Sequence, residues 1–192
     1  MERVICLLIG YVFGLFQTAY FYGKTKGIDI RKYGSGNAGT TNALRVLGTK
    51  AGLIVFAGDC LKCIIAVCIT RALFSTGHPE NIYLLCLYTG AGAIIGHNFP
   101  FYMGFKGGKG IAATAGLILS FHPYFIVMGV VLFFGAFLTT HYVSLGSLLV
   151  YAGFMIQMVV CGQMGLFGMM EGDDAPVSDI HVPDLPELSA QE

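Results

Sequence analysis

GHNFPFYMGFKGGKGIAATAG, residues 96–116, closes one apolar run and opens another, with a basic, glycine-dense turn between them. His97 and Asn98 end the first run, an aromatic turn follows around Pro100, and Lys106-Gly107-Gly108-Lys109-Gly110 leads into the second. Glycines let backbone amides converge on one point, a helix start adds partial positive charge, and two lysines add full charge. Such a turn suits a phosphate or another anion, and the flanking apolar runs place it at a membrane.

Composition supports the membrane. The 192 residues are 55% hydrophobic and 11% charged, with 27 glycines, no Trp and a mean hydropathy of +0.71. A soluble domain carries about 25% charged residues. A single polytopic bundle fits this length, and no nucleic-acid partner is expected. The formal net charge of zero hides an uneven distribution, because seven of the eleven acids fall in residues 171–192.

Upstream of the central turn lie apolar runs at 82–95, 51–73 and 4–22, the last interrupted only by Gln17 and Thr18. The first run is longer than the core of a secretory signal and lacks a small-residue cleavage site, so it reads as a membrane helix. Residues 23–50 carry Lys24, Lys26, Arg31, Lys32, Arg45 and Lys50 against Asp29, which makes this loop cytoplasmic by the positive-inside rule. Downstream, residues 111–120 are short of the ~20 needed to cross, and must tilt, extend into the glycine turn or re-enter. Further runs follow at 124–138 and from 145 to about 160, with Thr139-Thr140-His141-Tyr142-Val143-Ser144 as a polar break between them. The expectation is an all-α polytopic membrane helix bundle of about six segments, within a range of five to seven. Residues 1–170 form the membrane domain, and residues 171–192 read as an acidic, disordered tail. With this count the polar breaks after spans one, three and five share one face, where they can build one site.

Several familiar patterns fail on context. Gly34-Ser35-Gly36-Asn37-Ala38-Gly39 fits G-x-G-x-x-G, with Asp59 about 20 residues on, but no buried strand precedes it and the acid lies in a span. A Walker A loop ending at Gly108-Lys109 needs Gly at 103 and Ser or Thr at 110, where Met103 and Gly110 stand. Cys60 and Cys63 form a lone C-x-x-C inside a span, without further ligands at zinc-site spacing, and read as small buried hydrophobes. No metal or cofactor is expected. Asp59 and Lys62, one helical turn apart in the same span, read as a structural intramembrane ion pair.

Anion chemistry remains. Ser35, Asn37 and Asn42 offer hydroxyl and amide hydrogen bonds, and Arg45 offers a planar fork for phosphate or carboxylate. If a helix starts near Thr41, Asn42 and Arg45 stand one turn apart. His97 is a candidate base or phosphate contact, beside the ordinary role of a satisfied histidine at a helix end.

Residues 28–52, IDIRKYGSGNAGTTNALRVLGTKAG, together with residues 96–114, resemble the bacterial membrane acyltransferases that make 1-acylglycerol 3-phosphate from glycerol 3-phosphate and an acyl phosphate. The likeness runs to about Ser147 and includes the Asp59 and Lys62 spacing, with HYVSLGS at 141–147 resembling a third motif. The resemblance implies catalytic roles for Ser35, Asn37 and His97, and substrate or phosphate contacts from Gly36, Asn42, Arg45, Lys106, Gly107, Gly108, Lys109 and Ser144. It implies glycerol 3-phosphate, acyl phosphate and membrane lipids as partners, possible contact with a soluble acyl-phosphate-forming enzyme, and a multi-pass bacterial inner-membrane protein with its site on the cytoplasmic face. Acyltransferases with His-x-x-x-x-Asp are a different group, and the fifth residue after His97 is Tyr102.

The family pattern differs at two places. It has Arg where His141 stands, and it ends in a further membrane helix and a basic segment with His and Asn, where this chain has its acidic tail. An inactive homologue and a membrane transporter or lipid-binding protein are therefore the alternatives. Carriers place substrate near the bilayer midplane between repeat-related halves, and no internal repeat is evident here.

Overall fold

In the computed structural model the described residues, 1–165, form eight α-helices and no strands. These are α1 (Glu2–Gly14), α2 (Thr18–Thr25), α3 (Thr40–Leu47), α4 (Thr49–Phe74), α5 (Ile82–Asn98), α6 (Ile111–Phe121), α7 (Pro123–Thr140) and α8 (Val143–Gln163). The acidic segment 171–192 lies outside the described residues. Five segments are long and apolar enough to span a bilayer: Glu2–Thr25, Thr49–Phe74, Pro79–Met103, Pro123–Thr140 and Val143–Gln163. With α6 the segments number six, as the hydropathy pattern leads one to expect.

Small residues set the closest packing. Gly10 and Gly14 of α1 face Gly92 and Gly96 of α5, and a Cβ at Gly10 would overlap the Thr89 carbonyl, one at Gly96 the Tyr11 carbonyl. Two facing Gly-x-x-x-Gly patterns thus bring the backbones together, the usual device of membrane helices that lack a hydrophobic drive to associate. α4 runs antiparallel to α5, with Thr70 Oγ1 and Thr89 Oγ1 2.6 Å apart near one end and Lys62 and His97 in contact farther along.

α6 has 11 residues, about 16 Å at 1.5 Å per residue, roughly half of the hydrocarbon thickness. Its neighbours explain how it is accommodated. The Cys60 thiol reaches the Ala112 carbonyl at its start, and the Arg71 guanidinium donates to the Phe121 and Ser120 carbonyls at its end, at 2.8 and 3.3 Å. α6 therefore lies parallel to the second half of α4 and begins part-way along it. Its buried side chains join a core of Val67, Leu117, Ile118, Phe121, Phe125 and Phe154.

The first span is broken. α1 stops at Gly14 and α2 starts at Thr18, whereas the hydropathy run predicts one continuous helix. The freed carbonyls find donors elsewhere: Gln17 Nε2 reaches Gly14 at 3.3 Å, Tyr102 Oη reaches Leu15 at 2.6 Å, and Lys62 Nζ reaches Phe16 at 2.6 Å. Non-helical backbone is tolerated within a span when protein groups satisfy it in this way.

Candidate functional site

The first polar loop is held from inside by Asn42. Its buried carboxamide accepts from the Ser35 amide at 2.9 Å and donates to the Ile30 and Tyr33 carbonyls at 3.2 and 3.1 Å. At the loop entrance the Arg31 guanidinium forks onto Asp29, at 3.0 and 2.8 Å. That hydrogen bond holds the Asp29 carboxyl down to about 2. Ala38 and Ala43 then pack with Ile30, Val55 and Met103, which ties the first loop to the second.

The glycine turn folds back onto the end of α5. The Gly107 amide donates to the Asn98 carbonyl at 3.0 Å and the Gly108 amide to the His97 carbonyl at 3.1 Å. These two amides are engaged by α5, which corrects the expectation that they converge on an anion. Gly108 serves differently: a Cβ there would overlap His97 Nε2. A Cβ at Gly39 would in turn come within 4.0 Å of the Gly108 Cα, so the first loop lies directly on the glycine turn. The α6 start beyond it has no side-chain cap, leaving its first turn as a positive pole.

Beneath the turn is a buried polar cluster. His97 Nδ1 stands 2.8 Å from Lys62 Nζ and 3.7 Å from Asp59 Oδ1. Lys62 also donates to Asp59 Oδ1 at 2.9 Å, and Thr18 Oγ1 donates to the same oxygen at 3.0 Å. The Gln17 amide donates to the His97 carbonyl at 2.9 Å. Asp59 and Lys62 do pair as expected, but the pair belongs to a network with His97 that α2, α4, α5 and the break before α2 supply together.

The expected site residues thus divide. Ser35, Gly36 and Asn37 lie in the loop pinned by Asn42, and Asn42 is itself 2% exposed, with its amide committed to that loop. Arg45 faces outward on α3, and Arg45, Lys106 and Lys109 are exposed cations with no hydrogen bond or ion pair among the described residues. Ser144 is exposed in the first turn of α8, without a hydrogen bond from its hydroxyl to either of the other loops. It is Ser147, one turn on, that is buried. Sequence reasoning missed Gln17 and Thr18 as partners of the site, and the joining of Lys62 to His97. The available signal was two charges inside a span beside a histidine ending the next, all on the same half of the bundle.

Next to the turn opens an apolar cavity of about 350 Å³ between α4, α6, α7 and α8. Ile111, the residue after Gly110, is in its wall, with Phe56, Ala115, Ile118, Val130 and Phe133 among the others. Thr114, Ser147 and Tyr151 bring a few polar groups to this lining.

Residues 4–173 match the family model described as glycerol-3-phosphate acyltransferase. The chain belongs to the glycerol-3-phosphate acyltransferase family. It is 45% identical over 151 residues to the glycerol-3-phosphate acyltransferase of Halalkalibacterium halodurans, covering 78% of this chain and 71% of that one. To the Thermoanaerobacter enzyme of the same description it is 42% identical over 150 residues, covering 77% and 72%. The glycerol 3-phosphate form of PlsY, an integral membrane glycerol 3-phosphate acyltransferase, superposes with a TM-score of 0.74 at 32% identity over 84% of this chain and 78% of that one. The lysophosphatidic acid form gives 0.73 at 30% identity, over 88% and 82%. As a glycerol-3-phosphate acyltransferase the chain is a multi-pass membrane enzyme.

Proposed function

We propose that this enzyme transfers the acyl group of an acyl phosphate to the sn-1 hydroxyl of glycerol 3-phosphate, giving 1-acylglycerol 3-phosphate (lysophosphatidic acid) and phosphate, a step of phospholipid biosynthesis. The site faces the cytoplasm from a bacterial inner membrane, where a soluble acyl-phosphate-forming enzyme can meet it. The observation that carries the reading is the seating of Gly39 on Gly108 over His97. It joins the loop that leads into α3, which carries Arg45, to the turn that carries Lys106 and Lys109, and Ile111 at the end of that turn is in the cavity wall.

Both reactants carry phosphate, so their approach needs concentrated positive potential, which Arg45, Lys106, Lys109 and the start of α6 supply. The acyl chain occupies the apolar cavity. The glycerol 3-phosphate hydroxyl oxygen attacks the acyl carbon and forms the new ester bond. The bond from that carbon to the bridging phosphate oxygen breaks, phosphate leaves with the electron pair, and the hydroxyl proton passes to it. Ser35, Asn37 and His97 stand as donors to the intermediate oxyanion or the phosphates, and a good leaving group removes the need for a covalent nucleophile.

Purified protein given acyl phosphate and labelled glycerol 3-phosphate tests this. Arg45→Ala and Lys109→Ala should each lower kcat/KM on the order of 10- to 100-fold, as expected from losing a hydrogen bond to a charged group. Undiminished transfer by both variants removes their proposed roles. Equal use of acyl-CoA points to another donor class, and binding of glycerol 3-phosphate without turnover marks an inactive homologue.

A further inference from the structure

We propose that Lys62 is a positioning residue: it fixes His97 as the tautomer protonated at Nε2, so the ring meets the glycine turn as a hydrogen-bond donor and not as a base. The ammonium has three N–H donors and no acceptor. Its three partners are the Phe16 carbonyl at 2.6 Å, Asp59 Oδ1 at 2.9 Å and His97 Nδ1 at 2.8 Å. The carbonyl and the carboxylate can only accept, and Asp59, 2.9 Å away, supplies the opposite charge that favours the ammonium form of the amine. All three donors are then engaged, so Nδ1 accepts and carries no proton. The neutral ring has its single proton on Nε2, the atom that faces Gly108.

The rest of the cluster prevents the ring from escaping this role. The His97 carbonyl receives Gln17 Nε2 at 2.9 Å and the Gly108 amide at 3.1 Å, so the backbone is clamped from two sides. Thr18 donates to Asp59 Oδ1 at 3.0 Å and orients the carboxylate that faces Lys62. An Nε2–H under the meeting point of Gly39 and Gly108 suits phosphate oxygens or a developing oxyanion, both acceptors. A general base needs a lone pair there instead. The tautomer stands on the cluster alone; its use in turnover rests on the acyl-transfer reading above.

The full chain labelled with 15N-histidine, in detergent or bicelles, gives the tautomer by NMR, with the His97 signals assigned by their loss in His97→Gln. At neutral pH the wild-type ring should be protonated at Nε2 alone, and Lys62→Met should mix the two tautomers. A wild-type ring protonated at Nδ1, or at both nitrogens, overturns the proposal, and this spectrum decides even if Lys62→Met does not fold. Turnover supplies a second readout. A glutamine side chain in place of His97 carries its amide nitrogen to the position of Nε2, whereas an asparagine reaches only that of Nδ1. His97→Gln should therefore exceed His97→Asn in kcat at least ~10-fold, a part of the ~10²–10³-fold that one oxyanion donor contributes. Equal kcat in the two variants overturns the donor role. If wild-type protein transfers no acyl group, the proposed function fails while the spectrum still decides the tautomer.

Discussion

At position 108 the absent side chain matters because its neighbour cannot yield. A Cβ there would overlap Nε2 of His97, whose Nδ1 is held by Lys62 and whose carbonyl is held by Gln17. Gly108→Ala must therefore push the glycine turn away from the ring or force the ring off Lys62. Overpacking of this kind costs about 1–3 kcal/mol, visible as a lower thermal midpoint in detergent. Turnover should fall further, on the order of 10²-fold, because displacement of about 1 Å at a reacting centre has that effect. Unchanged midpoint and kcat would show that the loop relaxes freely. The basic glycine turn between two apolar runs was legible, but the partners of its amides were not: which carbonyl an N–H meets depends on the path of the chain, and here residues 107 and 108 turn back onto α5. Asn42 tells the same story, since an amide fit for substrate and an amide that ties up its own loop look alike in a string of letters.

Among the elements, the break between α1 and α2 does most to assemble the site. It turns the Phe16 carbonyl toward Lys62 and places Gln17 under His97. Gln17 is fully buried whereas Tyr102, which satisfies the Leu15 carbonyl, is 44% exposed. Gln17→Leu strands a buried carbonyl at Gly14 and loosens His97, and an unsatisfied buried group costs about 1–3 kcal/mol. Tyr102→Phe frees a carbonyl at an exposed edge of the protein. Thermal unfolding in detergent should therefore show the larger loss for Gln17→Leu, together with lower kcat; an equal or larger loss for Tyr102→Phe would contradict the account. The two polar residues in the first apolar run do not announce a break, because spans tolerate such pairs within an intact helix. Two of the three donors that satisfy this one lie 46 and 87 residues away from the carbonyls they reach. By contrast the spacing of Gly10 with Gly14, and of Gly92 with Gly96, was there to be read as a helix-packing signal.

Across the whole molecule, hydropathy delivers the six segments, and the shortness of α6 gives them their purpose. A full crossing would start at the level of α3, but α6 starts beside Cys60, so the glycine turn sits in a recess with the first loop above it and the apolar cavity alongside. On the acyl-transfer proposal, a headgroup reactant approaches from the polar side and an acyl chain from the bilayer, and the two meet at the end of α5. This division of labour predicts a split in kinetics. Ala115 lines the cavity but is not part of the polar loops, and Ala115→Phe should fill space meant for methylenes. Excluding two of them, at about 0.8 kcal/mol each, raises KM for a long-chain acyl phosphate roughly tenfold. KM for glycerol 3-phosphate and turnover of a short-chain donor should stay near wild type, since neither needs the cavity. Steady-state assays with donors of graded length decide the matter: a KM increase independent of chain length would mean that the acyl chain lies elsewhere, and that the recess and the cavity serve separate ends.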